Sequence, residues 1–279
     1  MHGSLIPPPL TDTSRAGMAT AIEADVVASR LTGIDVPVEG HEEDDVAWAL
    51  AVGSPAYRSV VVRAAFAEVI ADRRIREILA MTDAADSSVI WWHAGHHRPV
   101  DLPDRLVRHG FAEVATTDAM ALDLERSQPA GQALPGLQIR PVETPDDARA
   151  YVTVIETDRP EGSQPPPGGT DERFRHVAGR IDIDPVPLRF VGWVDGQPVA
   201  TSRLSLAAGV AGVYAIVTIP AARGRGYGRA MTSHVLEAGR AVGMRIATLQ
   251  ATELGLSVYR WLGFETVFEY RLFARPVPR

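Results

Sequence analysis

Between positions 223 and 229 the chain reads Arg223-Gly224-Arg225-Gly226-Tyr227-Gly228-Arg229, preceded by the β-branched run Ile216-Val217-Thr218-Ile219 and by Pro220. A strand that stops at a proline and turns through glycines into a helix leaves the first helical N–H groups unpaired and uncovered by side chains. An anion that approaches them also gains from the helix dipole. Three arginines add charge, and a guanidinium can hold a phosphate through two parallel hydrogen bonds. The segment therefore reads as a site for a diphosphate.

Two familiar phosphate loops do not fit. A Walker loop needs a lysine after its last glycine, and every one of the 28 residues counted as Lys or Arg is arginine. The dinucleotide fingerprint Gly-x-Gly-x-x-Gly fails because, after Gly224 and Gly226, the third glycine comes one position early, at Gly228. About twenty positions on, Ile246-Ala247-Thr248-Leu249-Gln250-Ala251 reads as a buried strand, followed by Leu256-Ser257-Val258-Tyr259-Arg260-Trp261-Leu262-Gly263-Phe264.

Strand, Arg223-x-x-Gly226-x-Gly228, helix, strand, then Tyr259-x-x-Leu262-Gly263-Phe264 resembles the GNAT superfamily of acetyl-CoA-dependent N-acetyltransferases. The resemblance implies an α+β fold in which a central, mixed, mostly antiparallel sheet is flanked by helices. It implies that main-chain groups of Ile216, Val217 and Thr218 take the pantetheine arm. Amides from Gly224 through Arg225, Gly226, Tyr227 and Gly228 to Arg229, aided by Arg223, would take the pyrophosphate. Thr252 stands where relatives often carry an asparagine against the pantetheine. The implied catalytic residue is Tyr259, facing the thioester sulfur, and the implied co-substrate is acetyl-CoA, with transfer direct to the amine and no metal.

Acyl transfer to an amine needs the nitrogen neutral. An alkyl amine of pKa ~10.4 is free only about once in 2,500 at pH 7, a deficit of roughly 4.6 kcal/mol. Several family members carry a glutamate for this on the strand before the glycine loop, and counting back places that position at Gly212, which has no carboxylate. Glu156, Asp158, Glu161 and Glu253 are the candidate substitutes, each also readable as a surface acid. The triplet of imidazoles His93, His96 and His97 follows Val89-Ile90-Trp91-Trp92 in what reads as a strand end, without the cysteine or paired carboxylate of a metal site. Trp91 and Trp92 read as core and interface residues.

Those residues must be positioned by a chain of 279 residues, room for one large or two ordinary domains. The stretch 126–136 is polar and punctuated by Gly and Pro, and reads as a linker. It divides a first domain, 1–125, from a catalytic domain, 137–279. In the second, Thr144 caps a helix opening Pro145-Asp146-Asp147, a second helix is expected around Phe174 to Ile181, and Asp195-Gly196 between alternating apolar runs signals a hairpin. The first half carries an echo: Leu106-Val107-Arg108-His109-Gly110-Phe111 lies 153 positions before the Tyr259 motif, with Leu106 in the tyrosine's place and no glycine loop ahead of it. This suggests two GNAT-like domains in tandem, the first degenerate.

Absence of cysteine removes disulfides and thiolate chemistry. Absence of lysine and asparagine beside abundant Ala, Arg, Gly and Pro suggests a bacterial gene rich in G and C. No apolar run is long enough to span a bilayer and the N-terminus lacks a signal peptide, so a cytoplasmic protein is expected, as monomer or homodimer. Residues 1–136 hold 11 arginines against 20 acids and the remainder 17 against 15. Such a balance disfavours nucleic acid as partner and leaves an amine-bearing small molecule as the expected acceptor. Two other classes remain at this stage: an idle acyl-CoA-binding sensor or scaffold, and a nucleotide-binding oxidoreductase.

Overall fold

The computed structural model describes residues 6–33, 37–52, 58–127, 134–158, 169–184 and 188–277. Its elements, in chain order, are α1 (Arg15–Leu31), β1 (Val38–Glu43), β2 (Val46–Ala51), β3 (Ser59–Ala64), α2 (Ala71–Ala84), β4 (Val89–Ala94), α3 (Leu102–Arg108), β5 (Ala112–Asp123), β6 (Gln138–Pro141), α4 (Pro145–Ile155), α5 (Gly169–Ala178), β7 (Arg189–Val194), β8 (Gln197–Ser205), β9 (Ala211–Thr218), α6 (Tyr227–Ala241), β10 (Ile246–Ala251), α7 (Glu253–Trp261) and β11 (Glu265–Arg275). A short 3-10 turn precedes each of α2 and α6, Glu68–Ile70 and Pro220–Ala222. Part of the 126–136 stretch, and Glu161 with most of the loop around it, fall outside the described residues.

The chain gathers into two compact units that are not consecutive in sequence. One comprises Met1–Asp25 with Met120–Glu265, the other Val26–Ala119 with Thr266–Arg279. Helix α1 and strand β5 each pass from one to the other.

In the unit built on 120–265, strands run in the order β10-β9-β8-β7-β6. The β6–β7, β7–β8 and β8–β9 pairs are antiparallel, and β9–β10 is parallel. The hairpin expected at Asp195-Gly196 closes β7 on β8 with both turn residues at positive φ, 48° and 74°, the geometry that matches strand twist. Thr144 caps α4: its hydroxyl accepts from the Asp147 N–H (3.2 Å) while Asp147 accepts from the Thr144 N–H (3.1 Å). Leu204, Met231, Val235, Leu249 and Phe264 fill the core between sheet and helices.

In the unit built on 26–119 the order is β1-β2-β3-β4-β11. Here β3–β4 is parallel, while β1–β2, β2–β3 and β4–β11 are antiparallel. Its core centres on Trp91, with Phe66 and Phe111 edge-on at 6.2 and 5.9 Å. Trp92 packs on Tyr270 at 5.3 Å. Each unit is thus a mixed, mostly antiparallel sheet with helices, as expected from the sequence.

Candidate functional site

Strand β9 is paired with β8 along its length, except for a register shift marked by Ala215, which takes φ 51°. On its other edge it pairs with β10 only at Ala211↔Ala247 and Gly212↔Thr248. Beyond those two rungs the parallel strands part. The stretch that holds Ile216, Val217 and Thr218 therefore presents main-chain groups that no strand takes up on that side among the described residues. Ile216 and Thr218 are half-buried and Val217 is buried, so Val217 offers a ligand only its backbone.

The turn beyond β9 ends at Gly226, which caps α6 with φ 84° and no side-chain hydrogen bond. Only glycine takes that conformation without strain. The Ala230 N–H donates to the Gly226 carbonyl at 3.1 Å, the first bond of the helix, so the amides of Tyr227, Gly228 and Arg229 point out of its open end. A methyl group at Gly228 would meet only Thr218 Oγ1 at 3.7 Å and Ile216 Cγ2 at 3.9 Å, and one at Gly224 nothing within 4 Å. At Gly224 the backbone itself asks for glycine, with φ 77°, whereas a side chain at Gly228 would meet only ordinary contacts among the described residues.

Arg223, Gly224, Arg225 and Arg229 are exposed around this opening. Arg223 Nε donates to the Thr218 carbonyl (3.2 Å), Arg225 to the Ala221 carbonyl (3.4 Å), and Arg229 lies 4.6 Å over the ring of Trp261. The Tyr227 ring is buried in the core cluster, leaving only its amide for a ligand. Thr252 is the exposed N-terminal cap residue of α7, where its side chain makes no cap bond.

Tyr259 lies in the last turns of α7, half-buried, with its ring folded back along the helix. Gly255, one turn earlier, makes that possible: a Cβ there would stand 2.7 Å from Tyr259 Cε2. Among the described residues the phenol has no hydrogen-bond partner. Burial, with the negative charge of Asp158 added, pushes its pKa up to about 12. Asp158, just beyond α4, also stands 4.0 Å from Arg223, so α4, the glycine loop and α7 converge here.

Of the other candidate bases, Glu156 is paired with Arg173 (3.2 Å) and Glu253 is exposed in the first turn of α7. Gly212 is buried, and a Cβ built on it would lie 2.5 Å from both oxygens of Asp25. This carboxylate, absent from the sequence-based candidates, comes from α1. The signal available was a lone acid at helical spacing on an apolar face, between Ala21, Ile22 and Val26, all fully buried.

The histidine triplet behaves differently. His93 is buried on β4, and desolvation, with the charge of His97 next, lowers its pKa to about 4. The Ala94 N–H donates to His97 Nδ1 at 3.3 Å.

Residues 152–264 match the model of the Acetyltransferase (GNAT) family. No curated protein matches the sequence significantly. Among solved structures, the chain is similar to a GCN5-related N-acetyltransferase from Kribbella flavida (TM-score 0.68, 19% identity, 91% of this chain and 96% of that one). A GCN5-related N-acetyltransferase from Sphaerobacter thermophilus gives TM-score 0.62 at 18% identity, over 94% of each chain. A tandem GNAT protein from the clavulanic acid biosynthesis pathway gives TM-score 0.60 at 15% identity, over 98% of each. At such identities the likeness is one of fold. The family match falls on the parted strands, the open helix and the tyrosine, so it is residues 152–264 that are similar to the acetyltransferase (GNAT) family.

Proposed function

We propose that the protein is an acyltransferase that moves an acetyl group from acetyl-CoA directly to a primary amine of a small molecule. The observation that carries this reading is the open N-terminus of α6, where, among the described residues, three unpaired amides, a glycine cap and exposed arginines meet the end of a strand with a free edge. Amides of Gly224 to Arg229 suit the diphosphate of coenzyme A, and the β9 edge from Ile216 to Thr218 suits the pantetheine arm as an added strand. The thioester would then lie toward α7 and Tyr259.

With a pKa of about 12 against ~8.5 for a thiol, Tyr259 would give up its proton to a thiolate only at a cost of about 5 kcal/mol. Its role is therefore a hydrogen bond that tightens as charge grows on the sulfur. Tyr259→Phe should lower kcat by about 100-fold while leaving the coenzyme A dissociation constant within twofold; calorimetry and thiol release measure the two. Unchanged turnover would end the assignment.

One observation favours a second reading, an acyl-CoA-binding sensor that does not turn over: strand β9 itself carries no carboxylate at Gly212. A sensor would bind coenzyme A yet release no thiol from acetyl-CoA with any amine. In the same proposal, residues 137–279 form the ligand-binding copy of a tandem pair and residues 1–125 a degenerate one.

A further inference from the structure

Behind Gly212 lies a polar cluster that acyl transfer as described so far does not use. Asp25 is fully buried. Its Oδ2 accepts from the Tyr214 hydroxyl at 2.8 Å and from Thr248 Oγ1 at 2.7 Å, whereas its Oδ1 has no hydrogen-bond partner among the described residues. Four elements face the carboxyl: α1 with Asp25 itself, β8 with Arg203 and Ser205, β9 with Tyr214, and β10 with Thr248. Arg203 is buried as well and lies 4.5 Å from the Tyr214 ring centroid. Only one member of the cluster keeps appreciable accessible surface: Tyr214, on the strand just past the rungs where β9 and β10 part.

We propose that Asp25 and Tyr214 together receive the proton of the acceptor ammonium, so that an acid from α1, outside the segment that matches the family, replaces the side chain missing at Gly212. The inference rests on the acyl-transfer reading above. Tyr214 is the member that touches the amine, and Asp25 acts through it. The ammonium gives one proton to the Tyr214 oxygen while the Tyr214 hydroxyl proton passes to Asp25 Oδ2. The neutral nitrogen then attacks the thioester carbonyl, a C–N bond forms and the C–S bond breaks. The second N–H proton ends on the leaving sulfur, and Asp25 later returns its own to solvent through Tyr214. Burial raises the Asp25 pKa above the usual carboxylate range, opposed by the Thr248 and Tyr214 hydrogen bonds, the Arg203 charge and Ser205. A base so raised holds a proton more readily than an exposed acid, and the Arg203 charge favours the ionised form.

The test is thiol release from acetyl-CoA with the best acceptor of a panel of diamines, amino sugars and peptide N-termini, followed from mildly acidic to alkaline pH. Asp25→Asn keeps the shape of the cluster. It should bind coenzyme A like the parent, lose about 100-fold in kcat/KM at neutral pH, and gain rate steadily as pH rises, because only free amine then reacts. Tyr214→Phe should show the same loss of the acid limb. Asp25→Ala opens the space over Gly212, and adding Gly212→Glu to it should recover at least about tenfold of the lost rate. A purely structural carboxylate would leave the pH profile of Asp25→Asn unchanged, and that result overturns the proposal. So does an acid limb that disappears in Asp158→Asn instead. If Asp25→Asn does not fold, Tyr214→Phe decides, since Thr248 still holds the carboxylate there. Coenzyme A binding without thiol release in the parent protein, for every amine, would instead overturn the acyl-transfer reading and this inference with it.

Discussion

Two strand-to-helix junctions in this chain start alike and end with opposite electrostatics. At both, a strand that pairs in parallel with a later one runs through a 3-10 turn into a helix: β3 into α2 in one unit, β9 into α6 in the other. The short helices that follow also finish alike. Gly110 and Gly263 take φ 86° and 97°, and the Phe111 N–H reaches the Leu106 carbonyl at 3.0 Å just as Phe264 reaches Tyr259 at 3.0 Å. The first turn of α2, however, carries Asp72, which accepts from Arg105 and from His109 (2.9 Å), and Arg105 is held again by Asp101 at 2.9 Å. The first turn of α6 has no acid, and its arginines are exposed. One junction has supplied its own anion. The other leaves its cationic charge exposed with no acid in the first turn, so a shared backbone frame does not fix the charge at the helix opening.

The sharpest way to break this contrast is to make the open junction resemble the closed one. Gly226→Asp places a carboxylate at the cap of α6, where aspartate readily accepts from helix amides, at the expense of about 1–2 kcal/mol for the left-handed backbone. The fold should survive, and calorimetry should find coenzyme A affinity down by at least about 30-fold; retained affinity would refute the phosphate site. A smaller effect is expected at α7. Gly255→Ala drives a methyl group into the Tyr259 ring, so turnover should fall by about tenfold while coenzyme A binding holds. Equal loss of both would mean that Gly255 serves the helix rather than the tyrosine.

The smallest effect belongs to the closed junction. The His109 hydrogen bond holds the Asp72 pKa below the usual value, with Arg105 adding to it. A depressed carboxylate contributes stability that is present above its unfolded pKa of ~3.9 and fades as pH falls through the lower folded value. Asp72→Asn should therefore lower Tm by only about 2 °C at neutral pH, lose that difference in strong acid, and leave coenzyme A affinity untouched. Altered affinity would mean that the two junctions are not independent.

The glycine loop and the Tyr259 motif were legible because their geometry is local: a proline stop, positive-φ glycines and a helix close within a few residues. The Thr144 cap and the Asp195-Gly196 hairpin were legible for the same reason. Asp25 was not, since its partners Tyr214 and Thr248 lie 189 and 223 positions away and nothing in α1 alone tells which strand its acid will meet. Gly212 looked like a gap for the same reason, being a place vacated for a side chain from elsewhere. Period-two patterning is silent about a strand's neighbours, and the pairing of β11 with β4, from Tyr270↔Ala94 to Arg275↔Val89, had no local sign.

That pairing bears on how the molecule is made. Tyr270 and Phe273 are almost wholly buried in the unit otherwise drawn from residues 26–119, so this unit stays an unfinished sheet with a bare β4 edge until residues 266–275 have left the ribosome. Unpaired edges of that kind invite aggregation, and dividing the gene near position 130 to express either half separately should yield insoluble product.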